Sequence, residues 1–229
     1  MESNLQLVSV IMSAKNAETT ISKAIESILS QTYENIELLV VDDFSSDDTY
    51  NKCKKYAQNN EKVKLYKNTE TLGLTRSLNF LISKSKGDVI ARQDADDYSH
   101  QDRIKIQIQS LFKNKVSAVC TRSLNINKNK KIPGISYFFP TWLKMKYKNP
   151  YIHGTLMIKK NVLKEVNYYD EDFFYAQDYK LFLDLIRSGY KIKNLNKVLY
   201  FLNTENNISS KFKMEQEYFF QCAKNRVSP

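Results

Sequence analysis

The sequence predicts an α/β fold with a mostly parallel central sheet and helices on both faces. Short apolar, β-branched runs alternate with longer segments in which apolar residues recur at helical spacing. Polar or glycine-containing turns separate the two kinds of segment. This alternation is typical of βαβ units, whose right-handed crossovers make neighbouring strands parallel and place helices on the faces of the sheet.

The first hundred residues hold four predicted strands separated by three predicted helices. The strands are predicted at 7–12, 36–41, 63–66 and 89–91, and the near-continuous apolar run 7–12 has the composition of a strand covered on both faces. We expect Asn16 to cap the first helix and Gly87 to end the third. The helices are predicted from apolar residues at helical spacing, which are Ile21, Ala24, Ile25, Ile28 and Leu29, then Tyr50, Cys53 and Tyr56, then Leu74, Leu78, Leu81 and Ile82.

The second half continues the pattern after an interruption. A helix begins near Asp102, and strands are predicted at 116–120, 156–158 and 198–201. A further helix opens at Asp178, and a polar tail ends in an aromatic, lysine-rich helix that could dock on the core or on a membrane surface. The segment 125–150 is rich in lysine, asparagine and aromatic residues and holds three of the four prolines. We interpret it as an excursion from the sheet that packs half-buried, or stacks on sugars or a partner.

Composition narrows the class of protein. The chain has 229 residues, is 42% hydrophobic and carries a formal net charge of +10, which favours polyanions or an anionic membrane surface. Because the lysines are scattered and no nucleic-acid-binding module is evident, the alternatives are peripheral membrane contact or a solvated basic face rather than nucleic-acid binding. Three widely spaced cysteines, no signal peptide and no apolar run of about 18 residues predict a cytoplasmic location.

Polar residues follow several of the predicted strands. Ser13, Asp42 and Asp43, and the residues from Asp94 to Asp97, stand at carboxyl ends of strands, where α/β sheets bind ligands. Three aspartates within four residues could cap a helix. Their oxygens also suit Mg²⁺ or Mn²⁺ held against a substrate diphosphate. The sequence therefore predicts a divalent-cation site at this edge, with helix capping as the alternative.

Four motifs in order give the chain a family likeness. The segments 10–16 (VIMSAKN), 27–33 (SILSQTY), 40–49 (VVDDFSSDDT) and 91–97 (ARQDADD) resemble the family 2 inverting glycosyltransferases of GT-A fold, and the likeness extends more weakly to about residue 200. The resemblance implies a GT-A domain over 1–203, with a nucleotide-sugar-binding half at 1–100 and an acceptor half at 101–203, followed by the tail at 204–229. It also implies transfer of a sugar from a nucleotide diphosphate to an acceptor hydroxyl with inversion.

The resemblance also implies roles for individual residues. Asp94 and Asp96 match the DxD motif that holds Mn²⁺ or Mg²⁺ against the donor diphosphate, and in an extended segment alternate side chains point to one side. Asp178 matches the base that removes the acceptor proton. The resemblance also implies donor contacts for Ser13, Asp43, Arg76 and His153, with a surface arginine as the alternative at Arg76 and a packing residue as the alternative at His153. Arg92, two residues before the acidic cluster, is expected to steady those carboxylates or to contact the donor diphosphate.

The chain departs from the family pattern at three places. A family Pro-x-Tyr-Asn after the first strand is Ser-Ala-Lys-Asn at 13–16, which removes a tyrosine that could stack on the base. The acidic pair at the helix start is Gln177 and Asp178, so one carboxylate is missing. An arginine and a histidine expected after the last strand are absent, and closure over the donor would fall to Ser209, Ser210 or Lys211.

The function implied is a bacterial-type hexosyl- or N-acetylhexosaminyltransferase that uses a UDP-sugar. Its acceptor would be a glycan or a lipid-linked saccharide in the synthesis of surface polysaccharide or lipooligosaccharide at the cytoplasmic face of the membrane. The alternative is a non-catalytic sugar-nucleotide-binding subunit of an assembly complex. A dinucleotide-dependent dehydrogenase is disfavoured because no G-x-G-x-x-G turn follows the first strand.

Overall fold

The computed structural model describes residues 6–205 and 212–229. Within that part of the chain, nine strands form one sheet in the order β3-β2-β1-β4-β8-β6-β9-β5, with β7 paired to β6. The residues suggested for closure over the donor, Ser209, Ser210 and Lys211, lie outside the described ranges.

The first half of the chain forms the parallel part of the sheet. Strands β1, β2, β3 and β4 pair in parallel through β1–β2, β1–β4 and β2–β3. The prediction of alternating strands and helices is confirmed here. The elements are β1 Val8–Ala14, α1 Ile21–Leu29, β2 Ile36–Asp42, α2 Thr49–Asn59, β3 Val63–Lys67, α3 Leu74–Lys84 and β4 Val89–Arg92.

The second half makes the sheet mixed. Strand β8 runs antiparallel to both β4 and β6, whereas β9 runs parallel to β6. The elements are β5 Tyr98–Ser99, α4 Arg103–Lys113, β6 Ala118–Asn125, β7 Lys130–Ile132, α5 Thr141–Met145, β8 Met157–Lys159, α6 Lys160–Glu165, α7 Gln177–Arg187, β9 Ile192–Leu202 and α8 Lys213–Asn225. Strands β5 and β7 and helix α6 are too short to show a period in the sequence.

Two apolar layers explain why the early strands read as continuous apolar runs. Val8, Val10 and Met12 of β1 face the layer that contains α1 and α4. Ile11 between them faces the opposite layer, together with α3 and α7. Because helices cover both faces of the sheet, side chains that point to either face are buried, and the strand shows no alternation of apolar and polar residues. The carboxyl ends of β1, β2 and β4 are left open at one edge.

Two local predictions are wrong. Asn16 does not cap α1: its backbone has φ of 48°, its side-chain oxygen accepts the Ser46 N–H at 2.9 Å, and the residue before α1 is Thr20. Gly87 does not end α3, which stops at Ser85 in extended conformation. A Cβ at Gly87 would lie 2.4 Å from the Leu7 carbonyl oxygen, so close backbone approach explains this glycine.

The tail helix α8 packs on the core. The rings of Tyr179 and Phe220 stack with centroids 4.1 Å apart, and the Arg187 guanidinium donates to the Ala223 carbonyl at 3.1 Å. Of the two alternatives for the tail, docking on the core is therefore observed. In the described ranges no helix combines the length and the apolar character needed to cross a bilayer.

Candidate active site

The loops after β1 and β2 are fastened to each other at the open edge. The Asn16 N–H donates to Ser45 Oγ at 3.0 Å, and the Ala17 N–H donates to Thr49 Oγ1 at 2.7 Å. Ser13, next to the end of β1, is partly exposed beside these loops. The arrangement keeps Ser13 accessible at the edge where the resemblance implies the nucleoside.

Asp43 follows β2 and is almost fully buried. Its carboxylate accepts hydrogen bonds from Asn68 Nδ2 at 2.7 Å, from the Leu72 N–H at 2.8 Å and from the Gly73 N–H at 3.0 Å. These bonds fix the loop that leads from β3 into α3. Asp43 therefore stabilises the loop at this edge of the sheet from a buried position, and its contact with a nucleoside remains a prediction.

Arg92, the last residue of β4, is buried against Asp94. The distance from Arg92 Nη1 to Asp94 Oδ2 is 2.5 Å, and Arg92 Nε has no hydrogen-bond partner among the described residues. Burial alone would lower the pKa of Arg92, but the Asp94 charge raises it. The Tyr200 hydroxyl also donates to Asp94 Oδ2 at 3.3 Å and accepts the Asp94 N–H at 3.0 Å. Asp94 is therefore held from two sides.

Asp96 lies in a turn, so the expectation of an extended Asp94–Asp96 segment is wrong. The Gln93 amide closes this turn by donating to the carbonyls of Asp94 at 3.0 Å and Asp97 at 3.1 Å. Asp96 is exposed, and its carboxylate receives no hydrogen bond from another described residue. Desolvation by the surrounding protein and the charge of Asp94 nevertheless raise its pKa to about 6.

Asp97 is buried and serves neither as a helix cap nor as an exposed ligand. Its carboxylate accepts the Asn203 N–H at 2.7 Å, which ties the acidic turn, residues 94–97, to the end of β9. Burial and the charges of Asp94 and Asp96 raise its pKa to about 9, so it is protonated at neutral pH. The residue before α4 is Asp102, which makes no side-chain cap bond.

Arg103 supports the acidic turn from the interior of the protein. The fully buried guanidinium donates to Gln93 Oε1 at 2.9 Å, to Ser99 Oγ at 2.7 Å and to Gln107 Oε1 at 2.9 Å, and also to the Arg92 carbonyl. Burial lowers its pKa to about 10, which leaves it charged at neutral pH. Each of these bonds restrains the backbone or a side chain next to the turn.

Asp178 stands in the first turn of α7, where the charge of Arg92 acts on it. One carboxylate oxygen accepts Asn149 Nδ2 at 2.7 Å, and the other accepts the Tyr179 N–H at 2.7 Å. Burial raises the pKa of Asp178, while these two hydrogen bonds and the charge of Arg92 oppose the rise. The residue before α7, Ala176, has φ of 51°, a left-handed conformation unusual for a residue with a side chain. The chain enters α7 under strain beside the carboxylate.

His153 lies in a short 3₁₀ turn before β8. Its Nε2 is 2.7 Å from the Tyr169 hydroxyl, and burial together with the Arg92 charge lowers its pKa well below the usual value. The imidazole is therefore neutral at pH 7. The next residue, Gly154, packs against the acidic turn, because a Cβ there would lie 2.3 Å from the Tyr200 hydroxyl and 2.5 Å from Asp94 Oδ2.

Arg76 lies apart from the side chains that surround Arg92. It lies in the first turn of α3 and forms a half-exposed ion pair with Glu171, with a Nε–Oε2 distance of 3.5 Å. The sequence alternative of a surface arginine describes this geometry. A contact with the donor remains a prediction for this residue.

Several members of the site gave no recognisable signal in the sequence. Tyr200 lies opposite Ser99 in the antiparallel pairing of β9 with β5, and its hydroxyl contacts Asp94 across 106 residues of sequence. Tyr169 and Asn149 come from loops without a motif. The Asn149-Pro150 step could only have suggested a turn.

The acidic turn fits a divalent cation. Within the described ranges no group of three or more His, Cys, Asp or Glu side chains is arranged to hold a metal. One or two carboxylates are nevertheless the usual protein contribution to Mg²⁺ that also binds substrate phosphates. Asp96 offers an exposed carboxylate that accepts no hydrogen bond from another described residue, and its pKa is raised by desolvation and by the negative charge of Asp94. Asp94 would be the second oxygen donor to such a cation, and it already pairs with Arg92.

Comparison with curated proteins gives related chains over most of the sequence. It is 33% identical over 187 residues to the UDP-Glc:alpha-D-GlcNAc-diphosphoundecaprenol beta-1,3-glucosyltransferase WfgD of Escherichia coli, covering 80% of this chain and 71% of WfgD. It is 30% identical over 230 residues to the O-antigen biosynthesis glycosyltransferase WbnJ of Escherichia coli, covering 96% of this chain and 87% of WbnJ.

Solved structures and a family model give the fold and the family. The mannosyltransferase PcManGT from Pyrobaculum calidifontis, solved with GDP-Man and Mn²⁺, superposes with a TM-score of 0.76 at 18% identity. That match covers 97% of this chain but 65% of PcManGT, so this chain spans less than two thirds of that neighbour. The family model described as Glycosyl transferase family 2 matches residues 9–182. The chain therefore belongs to glycosyl transferase family 2 and has the GT-A fold that its four motifs implied.

Proposed function

We propose that the protein is a metal-assisted, inverting glycosyltransferase that moves a hexosyl or N-acetylhexosaminyl group from a nucleotide diphosphate to a glycan or lipid-linked acceptor. The named activity of WfgD supports a UDP-sugar and a diphosphoundecaprenol-linked acceptor. The named role of WbnJ supports a place in surface polysaccharide synthesis. A lipid-linked acceptor would put the protein at the cytoplasmic face of the cell membrane.

One observation supports the mechanism: two carboxylates in different environments both experience the positive charge of the buried Arg92. Asp96 is exposed and accepts no hydrogen bond from another described residue, which suits a residue that binds a cation. Asp178 has a pKa raised by burial, which suits a residue that must accept a proton. A protein that only bound sugar nucleotides would need the first carboxylate but not the second.

The proposed reaction is a single displacement. Asp178 takes the proton of the acceptor hydroxyl while that oxygen bonds to the anomeric carbon from the face opposite the diphosphate. The bond between the anomeric carbon and the diphosphate oxygen breaks, and the nucleoside diphosphate leaves with the electron pair. Asn149 holds one oxygen of Asp178, so the carboxylate keeps one orientation. A cation held by Asp96 and Asp94 would neutralise the charge that develops on the leaving diphosphate.

The donor would lie along the open edge, over the ends of β1, β2 and β4. Ser13 would contact the nucleoside, and Asp43 would either contact it or hold the loop beside it. His153 and Arg92 would lie at the diphosphate and sugar end, where neutral His153 can donate or accept one hydrogen bond. Arg76 would reach the donor only by leaving its ion pair with Glu171.

The test is Asp178→Asn, which keeps the shape of the side chain and removes the base. We expect donor affinity within a few-fold of wild type and a turnover at least about a thousandfold lower. Asp184→Asn is the matched control, because Asp184 lies on the same helix and pairs with Lys180 rather than facing Arg92. Calorimetric titration of UDP-sugars with Mn²⁺ measures binding, and release of nucleoside diphosphate measures turnover.

The stereochemistry is tested separately. Proton NMR of the product should show the anomeric configuration opposite to that of the donor. Retained configuration would rule out the single displacement, and near-normal turnover of Asp178→Asn would rule out the assigned base. Donor binding without turnover by the wild-type chain, across a panel of acceptors, would instead favour the non-catalytic subunit.

A further inference from the structure

An exposed apolar surface lies on the excursion between β7 and β8. We define the aromatic segment as residues 133–148, which contain a 3₁₀ turn, Ile135–Phe138, and the short helix α5. Its outward side chains are large and apolar, and several such side chains exposed together on a monomer mark a surface that binds a partner. They are Ile135 at 82% exposed, Phe138 at 71%, Phe139 at 53%, Trp142 at 64% and Tyr147 at 77%.

The surroundings of this surface are uniformly basic. Residues 126–148 hold six lysines and no Asp or Glu. The wider stretch 103–164 holds fourteen Lys and Arg and no acidic residue, although the whole chain has a net charge of only +10. Lys146 stands with its Nζ 5.1 Å from the Trp142 ring centroid, so cation and aromatic ring occupy the same surface. A partner for this surface must be both apolar and anionic.

We propose that the aromatic segment docks on an anionic lipid bilayer, with its rings in the interfacial region and its lysines against lipid phosphates. Tryptophan and tyrosine favour the membrane interface, and lysines next to them gain from the negative surface potential of anionic lipid. A nucleic acid would match the charge but would leave Ile135 without a partner. A second copy of this chain would bring like charges together.

The inner side of the aromatic segment is fastened to the enzyme. The Tyr179 hydroxyl of α7 donates to the Met145 carbonyl at 2.6 Å, and the Tyr137 hydroxyl donates to the Asn194 carbonyl of β9 at 2.8 Å. The residue that follows the segment, Asn149, donates to Asp178. Docking would therefore bring the proposed base to the bilayer surface, where the head of a lipid-linked acceptor stands. Only this last consequence rests on the proposed function.

The chain carries its own reporter, because Trp142 is its single tryptophan. We expect its emission to shift to shorter wavelength on adding vesicles with 30% phosphatidylglycerol in phosphatidylcholine. Vesicles of phosphatidylcholine alone should bind at least tenfold more weakly, and 0.5 M NaCl should weaken the binding to anionic vesicles. Lipids brominated on the upper acyl chain should quench the bound tryptophan, which shows that the ring enters the bilayer.

Two pairs of variants locate the contact. Phe138→Ser with Phe139→Ser should weaken vesicle binding at least tenfold, whereas Met214→Ser with Tyr218→Ser, which removes exposed apolar side chains from α8, should not. Lys146→Gln with Lys148→Gln should weaken binding by roughly thirtyfold, about fivefold for each lysine. The control for charge is Lys54→Gln with Lys55→Gln on α2, at the far end of the sheet.

Four outcomes would overturn the proposal. The first is no vesicle binding, and the second is equal loss in the α8 and aromatic-segment variants. The third is a Trp142 shift that follows protein concentration without lipid, which would indicate self-association. The fourth is a shift with a soluble glycan or an oligonucleotide but none with vesicles. All four are measured without following sugar transfer, so failure of the docking proposal leaves the proposed reaction untouched. Near-normal turnover of Asp178→Asn, which would rule out the assigned base, likewise leaves the docking proposal untouched.

Discussion

Gly154 is the position where the smallest change should do the most specific damage. It lies in the 3₁₀ turn His153–Thr155, whose backbone tolerates alanine. An added Cβ, however, would stand 2.3 Å from the Tyr200 hydroxyl and 2.5 Å from Asp94 Oδ2, where ordinary contacts are 3.4 Å or longer. One methyl group therefore forces apart the tyrosine and the carboxylate that the proposed site needs together.

The cost can be worked from these contacts. Relieving an overlap of about 1 Å in a packed region costs about 1–3 kcal/mol, and loss of the Tyr200 hydroxyl bond to Asp94 adds about 1 kcal/mol. For a chain of this length each kcal/mol lowers the melting temperature by about 2–4 °C. We therefore expect a total cost of about 2–4 kcal/mol, and Gly154→Ala should melt about 4–16 °C below wild type. If Asp94 also binds the donor with its cation, affinity for a sugar nucleotide should fall at least about tenfold.

Gly87→Ala is the matched control. Its Cβ would lie 2.4 Å from the Leu7 carbonyl oxygen and 2.8 Å from Ser9 Oγ, an overlap of similar size at the opposite end of β1. Thermal unfolding and donor titration should show both variants destabilised, with donor affinity lost in Gly154→Ala alone. Equal loss of affinity in both would mean that general loosening, not displacement of Asp94, is responsible. Unchanged melting of Gly154→Ala would refute the packing argument itself.

Three further predictions concern the acidic turn. Asp96→Ala should abolish the Mn²⁺ dependence of donor affinity, and equal affinity of wild type with and without Mn²⁺ in calorimetry would count against the cation site. Asp97→Asn should raise the melting temperature in chelator-containing buffer at pH 8. The folded pKa of Asp97 is raised to about 9, so the wild type loses stability as pH rises from the unfolded pKa of about 3.9, and the asparagine variant avoids this loss. The difference in melting temperature between variant and wild type should vanish near pH 4. Arg103→Met should cost about 3–5 kcal/mol in urea unfolding because it strands the acceptors of a buried cation, whereas Lys105→Met on the exposed side of α4 should cost under about 0.5 kcal/mol.

Strands β1, β2 and β4 were predictable because burial on both faces leaves a signature in single runs of residues. Each of these three runs is mostly apolar, and each is followed by a polar turn. The mixed half was harder, since β5 has two residues and β7 has three. Elements of that length are stabilised by strands that lie far away in the chain, and no local period can report them.

The site divides in the same way. Asp94, Asp96 and Asp178 were assigned to the proposed site from motifs, because only certain side chains can bind a cation or accept a proton. Their surroundings could not be predicted, since Tyr200 approaches Asp94 through the pairing of β9 with β5. The turn at Asp96 was missed for a related reason: it is closed by the Gln93 amide, whose role depends on the buried Arg103 behind it.

Arg92 is the element that makes the two carboxylate environments compatible. Its guanidinium is buried at the end of β4 and pairs directly with Asp94, and its positive charge also lowers the pKa of Asp178 and of His153. Burial pushes the pKa of Asp178 upward, and the positive charge of Arg92 opposes this rise. The Arg92 guanidinium, which neutralises Asp94, therefore also favours the ionised form of Asp178. A neutral residue at position 92 would weaken both, which is why the arginine two residues before the acidic turn belongs to the proposed mechanism as much as the aspartates do.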